Sequence, residues 1–284
     1  MKYKMFVADF DWTLGCAPDK IEASTAEAIK EYQKKGGKFA VCTGRLFSSI
    51  RPILRKYGIT GDVVACQGAI IGDIETGERI YSHGIEPALA AETVKTLLAD
   101  GHFVMLDSDD TLYFSEYNEY TAAYEQLTTL KGVVLGDMPA FIVREKACTQ
   151  KIMIMDEAER IPQLVEEYNK KFKGALLANS GAKYLMEIVN PVWNKGVSVE
   201  FLAERYGIDK AEVLAVGDST NDLSLMGRGF HGVAVGDGNP LLQAAADEVT
   251  VPFAEKPVEV LLKKYCLDEK GEKETEVKNG RYKK

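Results

Sequence analysis

Four short apolar runs, each followed by a cluster of polar residues, constrain this chain more than any other feature. They are Met5 to Ala8, "KFAVC" at 38–42, "DVVAC" at 62–66 and "VLAVG" at 213–217. Unbroken apolar strands of this kind are buried on both faces, as in a parallel sheet. Helical patterns separate the first three. One runs from Ser24 to Lys35 and stops at Gly36-Gly37, and "FSSIRPILRKYG" ends at Gly58, with Pro52 placed in its first turn or at a kink. Strand, helix, strand, helix, strand at this spacing implies βαβ units, so the fold class is α/β with a parallel-sheet core.

After about residue 84 the alternation breaks. "HFVML" and "TLYFS" flank "DSDD", which reads as a solvated hairpin turn, and "KIMIM", a helix from about Ala158 to Asn169, "GALLA" and "YLMEIV" follow. From about Pro191 the alternation returns, with a helix over "KGVSVEFLAERYG", the 213–217 strand and a helix from about Asp222. The strand "GVAVG", a helix near Pro240 to Asp247 and a last helix over "PVEVLLKKY" complete it. The economical division is a split core, 1–84 and 190–267, an inserted α+β domain at 85–189, and a charged tail at 268–284 that reads as disordered.

A chain of 284 residues with 46% hydrophobic and 27% charged residues has ample material for one large or two modest cores. Its net charge of -8 argues against general affinity for nucleic acid or an anionic membrane, but not against an anionic small molecule. Five scattered cysteines without a CxxC pair suggest neither a disulfide framework nor a zinc site. No apolar stretch reaches 18 residues and no leader pattern opens the chain, so a reducing, cytoplasmic setting is expected.

In an open parallel sheet, ligands bind beyond the carboxyl ends of the strands. Asp9 and Asp11 follow the first strand, Thr43, Gly44 and Arg45 the second, and Asp218 to Asp222 the strand at 213–217, while Lys195 opens a helix. Carboxylates, a hydroxyl and an ammonium at one edge suit phosphoryl transfer through an aspartyl phosphate. A carboxylate attacks, cationic and N–H groups hold the phosphoryl oxygens, and a hard divalent cation such as Mg²⁺ bridges two anions that would otherwise repel. Residues i and i+2 of an extended segment point the same way, so Asp9 and Asp11 could both face the phosphate.

The segments "DFDWT", "CTGR", "NKG" and "GDSTND", in that order, resemble the four motifs of the haloacid dehalogenase-like phosphatase superfamily. "VLAVGDSTNDLSLM" and "MEIVNPVWNKGVSVEFL" look most like its Cof-type, sugar-phosphate phosphatase-like subgroup. The resemblance implies a Rossmann-like core with an α/β cap inserted between the second and third motifs, and a phosphatase acting on a small phosphorylated metabolite. It makes Asp9 the nucleophile and a Mg²⁺ ligand, and Asp11 the general acid/base and, through its backbone carbonyl, a second ligand. Thr43, Gly44, Lys195 and Asn221 would hold the phosphate or its metal shell. Asp218 would be the third protein ligand, with Asp222 fixing the metal and Lys195 from behind. Two positions depart from the pattern: Trp12 stands where glycine is commonest, and Gln67 replaces the asparagine of "NGA". Trp12 is expected at the rim of the site or packed beneath the cap.

Blander readings exist for single residues. A lone D-x-D is often a turn device, Thr43 and Asp222 could be helix caps, and Arg45 could be a surface ion-pair partner. His83, His102 and His231 are isolated and read as structural. At the level of function, a sugar phosphotransferase or mutase would use the same residues. A metabolite-binding module would not need all of them, and a receiver domain would not need so large an insert. The oligomeric state is not legible.

Overall fold

The computed structural model describes residues 1–16 and 19–267, and the tail at 268–284 lies outside them. An eight-stranded sheet runs in the order Glu248–Val249, His231–Ala234, Val213–Gly217, Met5–Asp9, Lys38–Cys42, Asp62–Ala65, Ile70–Asp73, Arg79–Ser82. Neighbours are parallel up to Asp62–Ala65, and the last two strands are antiparallel. The apolar runs form its centre: Met5 to Ala8 and Val213 to Val216 are wholly buried, as strands covered on both faces must be.

Chain order matters for the site. Met5–Asp9 pairs with Lys38–Cys42 on one side and with Val213–Gly217, from the far end of the chain, on the other. The winding therefore reverses at this strand, and loops on its two sides diverge to leave a crevice at its carboxyl end. Asp9 stands there.

The second sheet has six strands, in the order Val133–Val134, Thr111–Phe114, Met105–Ser108, Thr149–Met155, Leu185–Val189, Leu177–Ala182. Over 105–108, 151–155 and 185–189 its side chains alternate between the two faces, as the two-residue period of a strand requires, with a register shift just before Lys151. Leu106, Ile152, Ile154, Met186 and Ile188 pack under this sheet's own helices. Met105, Met153 and Leu185, on the opposite face, join the core cluster that holds Leu46 and Cys66. The second sheet thus lies face-on over the first sheet's loops.

Several local expectations change. Pro52 sits past the first turn of the Phe47–Lys56 helix. The helix expected from about Asp222 is a 3₁₀ turn, Thr220–Leu225, because the Asp222 side chain folds back onto the Asp218 and Ser219 N–H groups. Helices Pro87–Ala99 and Met138–Glu145 have no counterpart in the sequence reading. The "DSDD" turn is a two-residue hairpin, with Asp109 and Asp110 both left-handed (φ 49° and 64°) as a primed turn demands. It is not simply solvated: Asp107 and Ser108 are buried, and the Asp110 carboxylate accepts from the Ser48 N–H at 2.9 Å. No helix among the described residues is long and apolar enough to cross a membrane.

Candidate active site

Three elements converge on the carboxyl end of Met5–Asp9. Asp9 ends the strand and is 5% exposed. Lys195, fully buried, opens the helix Lys195–Arg205, whose first turn is capped by the Asn194 side chain accepting from the Val197 N–H. Its ammonium donates to Asp9 Oδ1 at 2.5 Å and to Asp222 Oδ1 at 2.6 Å. Asp222 Oδ2 accepts from the Asp218 and Ser219 N–H groups at 3.1 and 3.2 Å, so both of its oxygens are engaged. Asp218 accepts from the Thr13 hydroxyl at 3.4 Å and is only partly buried.

The charges do not balance. Asp9, Asp218 and Asp222 each bring a carboxylate oxygen within 4.8 Å of the others, against one ammonium. Burial raises the Asp9 pKa well above its ordinary value; Lys195 opposes this, and Asp222 and Asp218 add to it. Asp218 is pushed up to about 6, by burial first and by Asp222 second. Burial works against the Lys195 charge, yet Asp222 and Asp9 outweigh it and hold its pKa above the ordinary lysine value. A clustered set of hard oxygens with surplus negative charge fits a divalent cation such as Mg²⁺.

The remaining predicted residues surround this group. Thr43 is buried after Lys38–Cys42, and its Oγ1 accepts from the Arg45 N–H at 3.1 Å. A Cβ at Gly44 would lie 2.6 Å from Gln67 Nε2, so any side chain there would displace the Gln67 amide. Asn221 donates to Gln67 Oε1 at 3.3 Å. Asp11 takes another direction from Asp9: Arg45 grips its carboxylate at both oxygens, 2.9 and 2.7 Å, while the guanidinium lies over the Phe10 ring. Arg45 is thus a partner of a predicted site residue rather than of a surface acid. His83 stacks on Trp193 with ring centroids 3.7 Å apart, and burial lowers its pKa.

Trp12 is 60% exposed, and its ring edge meets Phe253 rather than anything beneath the second sheet. Its φ of 62° explains why glycine suits this position, since a side chain in the left-handed region costs roughly 1–2 kcal/mol. Trp12→Ala should therefore be less stable than Trp12→Gly by about 1 kcal/mol, because alanine loses the Phe253 contact without relieving the backbone. Urea unfolding of both variants measures this, and a glycine variant no more stable than the alanine one would refute the strain.

Reading strand ends alone misses the side of the site contributed by the second sheet. Asp107, Lys151 and Glu187 are each at most 4% exposed. They alternate with the apolar residues that pack under that sheet's helices, so they face the core loops. Lys151 Nζ donates to Glu187 Oε1 at 2.8 Å and to the Gly44 carbonyl at 3.3 Å, and Glu187 Oε2 accepts from Gln67 Nε2 at 3.2 Å. Gln67 thus links this cluster to Asn221, at a left-handed φ of 58° in which asparagine fits more readily. The available signal is a charged residue within or at the end of each apolar run, the Glu of "LMEIV", the Lys that opens "KIMIM" and the Asp that follows "VML". A cleft of about 450 Å³ between the two sheets is lined by Gln67, Asn179, Ser180, Trp193 and Asn221 among others, and not by Asp107, Lys151 or Glu187.

Known proteins similar to this chain match it along nearly its whole length. A protein of Haemophilus influenzae named provisionally as a phosphatase is 28% identical over 264 residues, covering 92% of this chain and 98% of its own. The 5-amino-6-(5-phospho-D-ribitylamino)uracil phosphatase YitU of Bacillus subtilis is 23% identical over 92% of this chain and 97% of its own. A solved structure from Thermotoga maritima superposes with a TM-score of 0.82 and 26% identity, covering 94% of this chain and 98% of its own. The model of the haloacid dehalogenase-like hydrolase family matches residues 6–261, and the chain belongs to that family.

Proposed function

We propose that this chain, a phosphatase by its family and relatives, is a Mg²⁺-dependent enzyme that hydrolyses a small phosphorylated metabolite through an aspartyl phosphate on Asp9. The observation that carries the reading is the buried Asp9–Lys195–Asp222 chain beside Asp218 at the carboxyl end of the strand where the winding reverses. Such a set recognises phosphate and supplies a nucleophile in one place.

In this mechanism an Asp9 oxygen attacks phosphorus, and the P–O bond to the leaving group breaks opposite it. Asp11 gives its proton to the leaving oxygen, which requires its carboxylate to turn from Arg45 toward the phosphate. Lys195, the Thr43 hydroxyl and the Gly44 N–H stabilise the charge spread over the equatorial oxygens. Asp11, now ionised, takes a proton from water, which attacks phosphorus and releases phosphate from Asp9. Asp9 and Asp218, with the Asp11 backbone carbonyl, would hold the Mg²⁺, and Asp222 would keep Lys195 and the 218–219 turn in place. The cation, when bound, supplies charge neutralisation between the carboxylate and the phosphoryl group. The second sheet covers the loops and excludes bulk water. A small phosphate ester as substrate is supported by the YitU name, which describes a phosphorylated metabolite, and by the size of the inter-sheet cleft.

Phosphate release from a panel of phosphorylated metabolites tests this. EDTA should abolish release and added Mg²⁺ should restore it. Undiminished release in EDTA would overturn the metal requirement, and release to an added acceptor sugar in place of water would make the enzyme a phosphotransferase.

A further inference from the structure

We infer that Gln67 is a positioning residue: the strained turn 66–68 and its glutamine amide hold the phosphate-holding segments and the inserted sheet at one fixed spacing. The role rests on the phosphatase reading above, in which Gln67 touches no reacting atom and acts through its neighbours.

The backbone of this turn is costly to hold. Cys66, Gln67 and Gly68 follow one another at φ 49°, 58° and 108°, all left-handed, and two of the three carry side chains. Such conformations persist where the surroundings over-determine them, and they gather at functional sites. Here the surroundings are the site's own segments. The Cys66 N–H donates to the Arg45 carbonyl at 2.9 Å, and the Gln67 N–H to the Thr43 carbonyl at 3.0 Å. On the other side, a Cβ on Gly68 would lie 2.3 Å from the Asn194 carbonyl carbon, so glycine lets the turn close on the start of the Lys195 helix. The Gly68 carbonyl then accepts from the Ser198 hydroxyl, on that helix, at 2.8 Å.

The side chain completes the span. Its Nε2 lies over Gly44 and donates to Glu187 Oε2 of the inserted sheet at 3.2 Å, while its Oε1 accepts from Asn221 Nδ2 at 3.3 Å. An acceptor-only carboxylate at one end and an amide donor at the other fix which way the Gln67 amide points. Asparagine enters the left-handed region more readily but is one methylene shorter. Contacts already at 3.2 and 3.3 Å leave no slack for that loss. The chain keeps reach here and accepts backbone strain, which a residue serving only as a turn would not need.

Thr43 with Gly44, Lys195 and Asn221 stand on three separate segments, and the 66–68 turn touches all three. Gln67 has no charge to lend to the phosphoryl group, and both ends of its amide are engaged. Loosening it shifts the segments relative to one another, and small misplacements of that kind lower the rate for every leaving group alike. Gln67 also lines the cleft between the sheets. Direct recognition of the leaving group would instead appear as a loss confined to one substrate.

The test compares kcat and KM of wild type, Gln67→Met and Gln67→Asn, per folded molecule as judged from urea unfolding. The substrates are phenyl phosphate and the phosphorylated metabolite that the wild type cleaves fastest. Methionine keeps the length and loses both hydrogen bonds; asparagine keeps the amide and loses the reach. Each variant should lower kcat about tenfold on both substrates, with KM within threefold of wild type. Gln67→Glu, which sets two carboxylates together, should regain at least tenfold in kcat when Glu187→Gln is added, since donor and acceptor are then exchanged across the same contact. A kcat within threefold of wild type in either variant, a loss confined to one substrate or to KM, or no regain in the double variant would overturn the inference while leaving the phosphatase reading intact. EDTA-insensitive or absent hydrolysis by the wild type would instead strike at that reading. In that event calorimetric titration with orthovanadate, which takes the five-coordinate shape of a phosphoryl group in transfer, decides the role of Gln67 by itself. Binding weakened about tenfold by Gln67→Met supports it, and no binding, or unweakened binding, overturns it. If Gln67→Met fails to fold, Gln67→Asn takes its place in both experiments.

Discussion

Asp9→Asn is expected to lower phosphate release by roughly 10⁴-fold or more on every substrate, with the fold intact. The substitution is isosteric and removes the attacking oxyanion while keeping the side chain beside Lys195. It also removes one of three clustered negative charges, and burial already disfavours the ionised form of this residue. The variant should therefore unfold at a urea concentration equal to or above that of wild type. Loss of activity with retained stability is the signature of a group placed for chemistry at the expense of folding. Acid-quenched enzyme incubated with ³²P-labelled substrate should carry label in the wild type and none in the variant. Wild-type turnover by Asp9→Asn would end the nucleophile assignment.

The second large effect belongs to Lys195→Met. The ammonium has no contact with solvent and is shared between Asp9 and Asp222. Methionine fills similar space but leaves two buried carboxylates without a counter-charge, which costs about 3–5 kcal/mol where a buried pair is broken. Activity should fall together with stability, since the same ammonium stabilises the phosphoryl oxygens in the proposed mechanism.

The pH dependence separates this from ordinary cavity loss. Burial already holds the Asp9 pKa above its ordinary value, and without Lys195, which opposes that rise, it climbs further. The contribution of Asp9 to stability is then complete below the unfolded value, near pH 4, and is lost as the pH rises through the elevated folded value. Lys195→Met should accordingly be closest to wild type at about pH 5 and weakest above pH 7. Adding Asp222→Asn to Lys195→Met should restore part of the stability and none of the activity. Urea unfolding at both pH values measures this. A Lys195→Met deficit that is the same at both would show that charge is not the cause.

Much of the core was legible in the sequence, for a physical reason. Strands buried on both faces must be apolar throughout, so Met5 to Ala8 and Val213 to Val216 announce themselves, and the polar residues after them stand where such a sheet binds ligands. Asp9, Lys195, Asp218 and Asp222 are brought together by that logic. Local geometry beyond it was less legible. The turn at Asp222 is 3₁₀ rather than a longer helix, because a side chain that caps its own entry competes with continued winding. The helix Pro87–Ala99 is apolar around much of its circumference and so shows weak periodicity. Asp11 has an open surface to one side, and nothing in "DFDWT" says that Arg45 will take hold of it.

The sequence by itself determined the βαβ core, the strand ends that bear the chemistry and the residue types fit for phosphoryl transfer, because periodicity and strand burial are local properties of the chain. Only the tertiary structure decided which of those groups touch. Of the two places expected for Trp12 it ruled out the one beneath the second sheet, setting the exposed ring against the edge of Phe253 on a left-handed backbone. It also brought Asp107, Lys151 and Glu187 against Gly44 and Gln67. Those contacts join residues up to 120 positions apart, and they depend on strand register and on the placement of one sheet over another's loops. A one-residue slip in that register would turn all three charges to the opposite face.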